Sequence, residues 1–295
     1  MYYLGPAFRE IREAKKLSIR ETARGIISPS FLSKWERGES HISIINLISL
    51  LERITSTLNE LILFHENLEF HYQNFLDETM LAVRRKDLNT LVSLLEKLEA
   101  TPETDDQLLK EHRIIILNQH INQLTGIPFD KKSILVILNH LKKAQIWGIY
   151  ELLLYAHSLF FLTTADIKIM SNISFQRSGH FKAIPQVRTI IGRIFSDTLK
   201  RFLNEQLLNE SAKILKLGRD FLEDSSALSE RAELHLLEGV YLIKTGEQFK
   251  GLSYINKTLD FLTELSCDDL VASLYAYLAT VPEYQISSEF PTSID

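Results

Sequence analysis

Polar and basic side chains share one face of a short segment near the N-terminus. A helix over residues 29–37 would bury Leu32 and Trp35, which are three positions apart. Its opposite face would carry Ser30, Ser33, Lys34 and Arg37. Hydroxyl groups and a helix N-terminus can bind phosphate, and Lys or Arg can bind phosphate or guanine acceptors. The segment therefore has the chemistry of a helix that enters the DNA major groove.

Local start and stop signals set the elements that would position this helix. Ser18, followed by Glu21, is a capping box that begins a short helix, and Gly25 ends it. A tight turn then leads to the helix over 29–37, so the two have the dimensions of a helix-turn-helix. Three further helices are expected to about residue 16, over 44–54 after Ser43, and from residue 56 or 57. Spacing alone is equally compatible with a small helical bundle whose charges are solvated.

The charge of the chain differs between its two ends. The 295 residues carry a formal net charge of −5, which alone would argue against a nucleic-acid partner. Residues 1–40, however, hold eight basic and five acidic side chains, a net of +3, and residues 41–295 hold 25 and 33, a net of −8. A basic head thus precedes an acidic body. Further cations of the head could attract DNA phosphates: Arg9, Lys15, Lys16, Arg20 and Arg24.

Composition favours helices and disfavours enzymatic or metal chemistry. Only 11 glycines and 7 prolines are present, too few for the many tight turns of a sandwich or barrel. The single cysteine, Cys267, excludes a disulfide framework and a cysteine-based zinc site. There is no HExxH pattern and no glycine-rich phosphate loop. We therefore expect neither an enzyme nor a cofactor or metal.

The N-terminus and the apolar runs predict where the protein resides. The first 16 residues carry charges where a signal peptide needs an apolar stretch. The apolar runs, such as 114–117 and 159–162, are far shorter than the about 20 residues that span a membrane. We expect a cytoplasmic protein that has no membrane partner.

From about residue 66 the chain is predicted to form consecutive amphipathic helices. Break signals recur at intervals of 43, 36, 39 and 42 residues, near Asp87, Asp130, Asp166, Glu205 and Glu247. A period near 40 residues favours stacked helical hairpins. In the last hairpin, Gly239 could allow two helices to cross closely, and Gly246 falls in the turn.

The string ISPSFLSKWERGES, preceded by LGPAFREIREAKKLSIRETARG, resembles the helix-turn-helix of the Rgg/GadR/MutR regulators of Gram-positive bacteria, within the wider Xre/Cro-like group. The resemblance implies an all-α transcriptional regulator. Residues 1–65 would form a five-helix DNA-binding domain. Residues 66–295 would form a right-handed superhelical array of tetratricopeptide-like hairpins. That array would mediate homodimerisation and bind a short secreted and re-imported peptide pheromone, and the DNA-bound dimer could contact RNA polymerase.

The resemblance also assigns roles within the head. Base-facing positions of the recognition helix fall on Pro29, Ser30, Ser33 and Lys34. Positions that contact the DNA backbone fall on Ser28 and Arg37. Arg12 and Glu36 match a partly buried ion pair that joins the first helix to the recognition helix, which is a scaffold feature.

Two positions depart from the Xre-like pattern. Many such proteins have Gln where this chain has Ile19, so a side-chain contact to phosphate should be absent there. Phe31 replaces a residue that is often polar. It either contacts a thymine methyl group or packs against the domain, and packing is the favoured alternative.

An extended peptide bound in the helical array needs donors and acceptors for its backbone, together with apolar pockets. Candidate contacts are Arg84, Arg85, Asn118, Asn122, Tyr155, His157, Arg188, Tyr241 and Asn256. Asn118 and Asn122 are four positions apart and share a helix face. The linear sequence leaves open which faces line a groove. An alternative hypothesis is a peptide- or protein-binding scaffold whose helix-turn-helix does not bind specific DNA.

Overall fold

A computed structural model describes residues 4–64, 71–101, 107–223 and 227–288 of the chain. The chain divides into two compact units, Met1–Arg85 and Lys86–Asp295. The domain boundary predicted between residues 65 and 66 lies outside the described residues. Among the described residues, no helix is both long enough and apolar enough to cross a membrane.

The described part of the first unit is helical. Its helices are α1 (Leu4–Ala14), α2 (Ile19–Ala23), α3 (Pro29–Glu36), α4 (Ile44–Arg53), α5 (Leu58–Phe64) and α6 (His71–Arg85). Ser18, Ser28 and Ser43 are the N-caps of α2, α3 and α4, and each hydroxyl accepts a backbone N–H of the first turn. The reciprocal capping box between Ser18 and Glu21 is present. The predicted positions of the helix-turn-helix elements are thereby confirmed.

The core of this unit fixes α3 against α1. Phe8 and Leu32 are fully buried, and the rings of Phe8 and Trp35 lie 5.0 Å apart between centroids. Gly5 of α1 lies so close to the Trp35 carbonyl oxygen that a Cβ atom would clash with it. Helix α3 is therefore held by ring packing and by a backbone contact that only glycine permits.

The second unit is an array of helical hairpins. Its helices are α7 (Leu88–Ala100), α8 (Gln107–Thr125), α9 (Lys131–Lys143), α10 (Ile149–Ser158), α11 (Thr164–Ser178), α12 (Pro185–Asn204), α13 (Leu208–Leu222), α14 (Leu228–Lys244), α15 (Gln248–Glu264), α16 (Asp268–Leu278) and α17 (Pro282–Ser288), with a 3₁₀ turn at Gly179–Phe181. Each odd-numbered helix from α7 to α15 packs on the even-numbered helix that follows it. The even-numbered helices α8, α10, α12 and α14 also pack on one another in succession.

The break signals of the sequence coincide with helix ends. Asp87 and Asp130 are the N-caps of α7 and α9, and their carboxylates accept first-turn N–H groups. Glu247 precedes α15, and Glu205 follows α12. Asp166 lies in the first turn of α11. The repeat predicted from these signals is confirmed as a succession of hairpins.

The close helix crossing predicted at Gly239 is confirmed. A Cβ atom on Gly239 would lie 2.7 Å from the Gly251 carbonyl oxygen, and one on Gly251 would meet Ile243 side-chain and backbone atoms. These approaches bring the backbones of α14 and α15 into close contact near the turn that joins them. Gly246 occupies the turn between them with a φ of +96°, a conformation that favours glycine.

Candidate nucleic-acid interface and ligand groove

The recognition helix α3 presents the face that the sequence predicts. Ser28 Oγ accepts the Phe31 N–H at 3.2 Å, and Pro29 occupies the first helical position. Ser30 and Lys34 are exposed, and Ser33 is half-buried. Helix α3 therefore offers hydroxyl groups, its N-terminus and an ammonium group to solvent on one side.

A buried ion pair anchors α3 to α1. Arg12 Nε and Nη2 donate to the two carboxylate oxygens of Glu36 at 2.7 and 2.9 Å, and Arg12 Nη1 donates to the Leu17 carbonyl oxygen at 2.7 Å. The two side chains are 5% and 2% exposed. Hydrogen bonding to Glu36 raises the pKa of Arg12, although burial opposes the shift. The bidentate geometry fixes the orientation of α3.

Two basic side chains of the first unit join helices to one another. Lys15 Nζ donates to the carbonyl oxygens of Ile54 and Thr55 at 2.8 and 2.7 Å, so it caps the end of α4. Arg53 Nη1 donates to the Glu21 carbonyl oxygen at 3.0 Å. Lys15 is among the cations that the sequence predicts to attract phosphate, but in the structure its ammonium group is bonded within the domain.

The two departures from the Xre-like pattern differ in their surroundings. Ile19 is partly buried and packs against the core of the first unit. A hydrocarbon side chain offers phosphate no donor. Phe31 is half-buried beside Ser30 on the first turn of α3.

Arg37, at the end of α3, is held by neighbours of its own domain. Its Nε and Nη2 donate to the two carboxylate oxygens of Glu39 at 2.7 and 2.8 Å, and its Nη1 donates to Ser33 Oγ at 2.6 Å. The Arg37 and Glu39 side chains are 45% and 51% exposed. The hydrogen bond from Arg37 lowers the pKa of Glu39, and the charge of Lys34 adds to the effect.

The candidate peptide contacts are dispersed over several helices. Arg84 and Arg85 are exposed at the end of α6, in the first unit. Asn118 and Asn122 are half-buried on α8, and Asn256 is exposed on α15. The remaining candidates, with Asn118 and Asn122, lie on α8, α10, α12 and α14, which pack on one another in succession.

On those even-numbered helices the candidates differ in accessibility. Tyr155 is a core residue of α10 with no exposed surface, so its ring is not open to a ligand in this structure. Arg188 of α12 is half-buried and Nη1 donates to the Lys182 carbonyl oxygen at 3.4 Å. Tyr241 of α14 is partly buried against the core.

His157 of α10 lies in a polar part of the core. Burial lowers its pKa to about 3, and the positive charge of Arg193 on α12 and the neighbouring His120 on α8 act in the same direction. His157 is therefore neutral at physiological pH. Another polar contact joins the next two even-numbered helices, since Lys200 Nζ of α12 donates to the Glu233 carboxylate of α14 at 2.5 Å.

Three functional features were missed at the sequence level. The Glu39 carboxylate engages Arg37, Gly5 permits the approach of α1 to α3, and Arg193 lies beside His157. The i, i+4 spacing of Arg193 and Asp197, whose side chains lie 3.7 Å apart, indicates only an ion pair within α12.

The fold and the exposed face of α3 define a helix-turn-helix DNA-binding protein with a helical-repeat domain. A family model of the helix-turn-helix matches residues 8–61. The model for the C-terminal domain of the HTH-type transcriptional regulator Rgg matches residues 93–276. The chain belongs to the Rgg family of HTH-type transcriptional regulators, which are not enzymes.

Solved structures share this fold over nearly the whole chain. The SHP pheromone receptor Rgg2 of Streptococcus dysgalactiae is 21% identical with a TM-score of 0.77, over 96% of this chain and 99% of that one. A protein of Listeria monocytogenes EGD-e is 20% identical with a TM-score of 0.82, over 94% and 98%. ComR from S. thermophilus, solved with DNA and its signalling peptide ComS, is 14% identical with a TM-score of 0.56, over 94% and 99%. At these identities the likeness establishes the fold.

Proposed function

We propose that this regulator binds specific DNA as a cytoplasmic homodimer and is controlled by a short peptide. Residues 1–65 bind DNA, and residues 66–295 dimerise and bind the peptide. The observation that carries the DNA assignment is the geometry of α3. Its apolar face is buried, its orientation is fixed by the Arg12–Glu36 pair, and Lys34 and Ser30 are left exposed.

The proposed DNA contacts divide by their chemistry. Pro29, Ser30, Ser33 and Lys34 face the bases, and Ser28 and Arg37 contact the DNA backbone. An N-terminal half of α3 directed into the major groove places Ser30 near base edges, and the exposed ammonium group of Lys34 can reach guanine acceptors. The two heads of a dimer would occupy half-sites about one helical turn apart, or a multiple of it.

The test of DNA binding is a gel shift of the full-length protein with its own promoter region and with random duplexes at several salt concentrations. We expect saturable binding that prefers the promoter. The Lys34→Ala variant should lose discrimination between bases by about 1–3 kcal/mol. Lys97→Ala removes the same charge from an exposed position of α7 and serves as the control. Equal binding to all sequences would contradict the proposal.

The peptide assignment is supported by the peptide receptors among the solved structures of this fold and by Asn118 and Asn122. These side chains lie on one face of α8, about 6 Å apart along the axis. Alternate residues of an extended peptide repeat at about 6.7 Å. Each Asn amide can donate to a peptide C=O and accept from a peptide N–H. The two side chains therefore match the backbone of an extended ligand.

The proposed groove runs along α8, α10, α12 and α14. It includes Asn118, Asn122, Arg188 and Tyr241, with His157 beneath its surface. Tyr155 is left out because it is enclosed by the core. Arg84, Arg85 and Asn256 lie on other helices and are not part of the proposed groove.

Calorimetry with short hydrophobic peptides encoded near the gene tests the groove. We expect one peptide to bind, and Asn118→Ala and Asn122→Ala each to weaken it by about tenfold, as for loss of a hydrogen bond. Asn139→Ala, at an exposed position of α9, is the matched control and should bind as the wild-type protein does. Equal weakening by all three variants would count against this groove.

A further inference from the structure

The end of the recognition helix places an acidic residue beside two of its cations. Gly38 adopts a φ of +77°. Its N–H donates to the Trp35 carbonyl oxygen at 2.9 Å, and the Glu39 N–H donates to the Lys34 carbonyl oxygen at 3.0 Å. This pair of bonds is a Schellman motif, which closes the helix and turns the chain back. The position of Glu39 is therefore fixed by backbone geometry.

The carboxylate of Glu39 occupies one edge of the Arg37 guanidinium. Both oxygens accept, from Nε and Nη2, at 2.7 and 2.8 Å. A guanidinium has five N–H donors, and a bidentate contact to phosphate or guanine uses two on one edge. With the Nε edge taken and Nη1 bonded to Ser33 Oγ, Arg37 keeps two of its five N–H donors for DNA, and the Arg37–Glu39 pair carries no net charge.

The same contacts order Ser33. Its Oγ accepts a hydrogen bond from Arg37 at 2.6 Å, which leaves the hydroxyl proton to be donated elsewhere. Ser33 is a proposed base-facing residue, so its orientation bears on which acceptor it meets. Glu39 holds Arg37, and Arg37 in turn holds Ser33.

We propose that Glu39 is a specificity-determining residue of DNA binding, which restrains Arg37 from sequence-independent contacts with phosphate and keeps Ser33 oriented toward the bases. On a loosely docked random duplex, Glu39 competes with phosphate for Arg37. On the specific site, the docked helix holds Arg37 beside a phosphate at a fixed position. That phosphate competes with Glu39 for the guanidinium better than a phosphate of a loosely docked duplex does. Glu39 thus weakens non-specific binding more than specific binding. This inference rests on the proposed DNA contacts of α3.

The test compares full-length wild-type protein with Glu39→Gln. The probes are a random duplex and a duplex that the wild-type protein selects from a randomised library. Each additional contact to phosphate steepens the dependence of log K on log salt by about 0.9. Between 200 and 50 mM salt, the affinity of Glu39→Gln for random duplex should therefore rise about 3.5-fold more than that of the wild-type protein. The preference for the selected duplex should fall by roughly the same factor.

Two further variants isolate the cause. Glu52→Gln removes the same charge from an exposed position of α4 and should leave both the salt slope and the preference near wild-type values. Adding Arg37→Ala to Glu39→Gln should abolish the gain in non-specific affinity, because the freed guanidinium is gone. The proposal is overturned if Glu39→Gln behaves as Glu52→Gln does, or if the gain persists without Arg37.

The result separates this inference from the function on which it rests. If the wild-type protein enriches no duplex from the library, DNA recognition by α3 fails and the role of Glu39 fails with it. If the wild-type protein enriches a duplex and Glu39→Gln leaves the slope and the preference unchanged, only the role of Glu39 is overturned.

Discussion

Breaking the Arg12–Glu36 pair should loosen the recognition helix. The two side chains are only 5% and 2% exposed. Removing Arg12 leaves the Glu36 carboxylate buried without its ion-pair partner, and removing Glu36 leaves Arg12 with only the exposed Glu13 carboxylate as an ion-pair partner, at 3.2 Å. The expected cost is about 3–5 kcal/mol of the free energy of unfolding of the first unit. That corresponds to a rise in amide exchange rates of roughly a hundredfold to several thousandfold. Arg12→Met and Glu36→Leu should each show it.

Hydrogen exchange of the full-length protein, measured by mass spectrometry, reports this change locally. Amides of α1 and α3 should lose protection, and those of α14 and α15 in the second unit provide an internal reference. The double variant Arg12→Met/Glu36→Leu should recover most of the loss, because an apolar pair leaves no buried charge. Arg9→Met, which breaks an exposed pair with Glu13, should change little. Single variants that exchange like wild type, or a double variant as unstable as they are, would refute the reasoning.

Three further outcomes are expected. Gly239→Ala should lower the stability of the second unit by about 1–3 kcal/mol through overpacking, whereas Gly179→Ala, with no atom within 4 Å of the added Cβ, should not; thermal melts distinguish them. Gly5→Ala should similarly destabilise the first unit and weaken DNA binding, measured by melts and gel shifts. Burial lowers the pKa of His157 to about 3, below the about 6.5 of a free imidazole, so the unfolded chain binds the proton more tightly. The contribution of His157 to the free energy of unfolding should therefore fall as pH drops below about 6.5, by about 1.4 kcal/mol at pH 5.5 relative to alkaline pH. The total fall for His157→Gln should be smaller than that of the wild-type protein by this amount.

The elements of the first unit could be predicted because their signals are local. A serine N-cap and its first-turn N–H lie within three residues of each other, as at Ser28 and Phe31. A capping box such as Ser18 with Glu21 is likewise contained in four residues. Such bonds form whatever the rest of the chain does, so the sequence pattern and the structure agree. The close crossing at Gly239 could also be predicted from the residue itself, because a glycine within a helix has no Cβ atom and lets a neighbouring backbone approach, as Gly251 does.

The candidate groove was harder to predict because the facing of each helix depends on distant partners. Tyr155 has the polar tip expected of a ligand contact, but α10 packs on both α8 and α12, and that side of α10 is the core. Asn118 and Asn122 share a helix with Ile116, which is buried, yet both remain half-buried. Helical periodicity shows which residues share a face, but only packing shows what the face meets.

The adjacent residues Glu36 and Arg37 form two ion pairs with different roles. Glu36 turns inward to Arg12, where low exposure makes the pair costly to break and suited to fixing the angle of α3. Arg37 turns outward to Glu39, where solvent screens both charges and the pair contributes little to stability. Because it contributes little, a DNA phosphate can exchange with Glu39 without disturbing the fold. The buried pair therefore sets where α3 lies, and the exposed pair is the one that we propose to control how readily the helix binds DNA of any sequence.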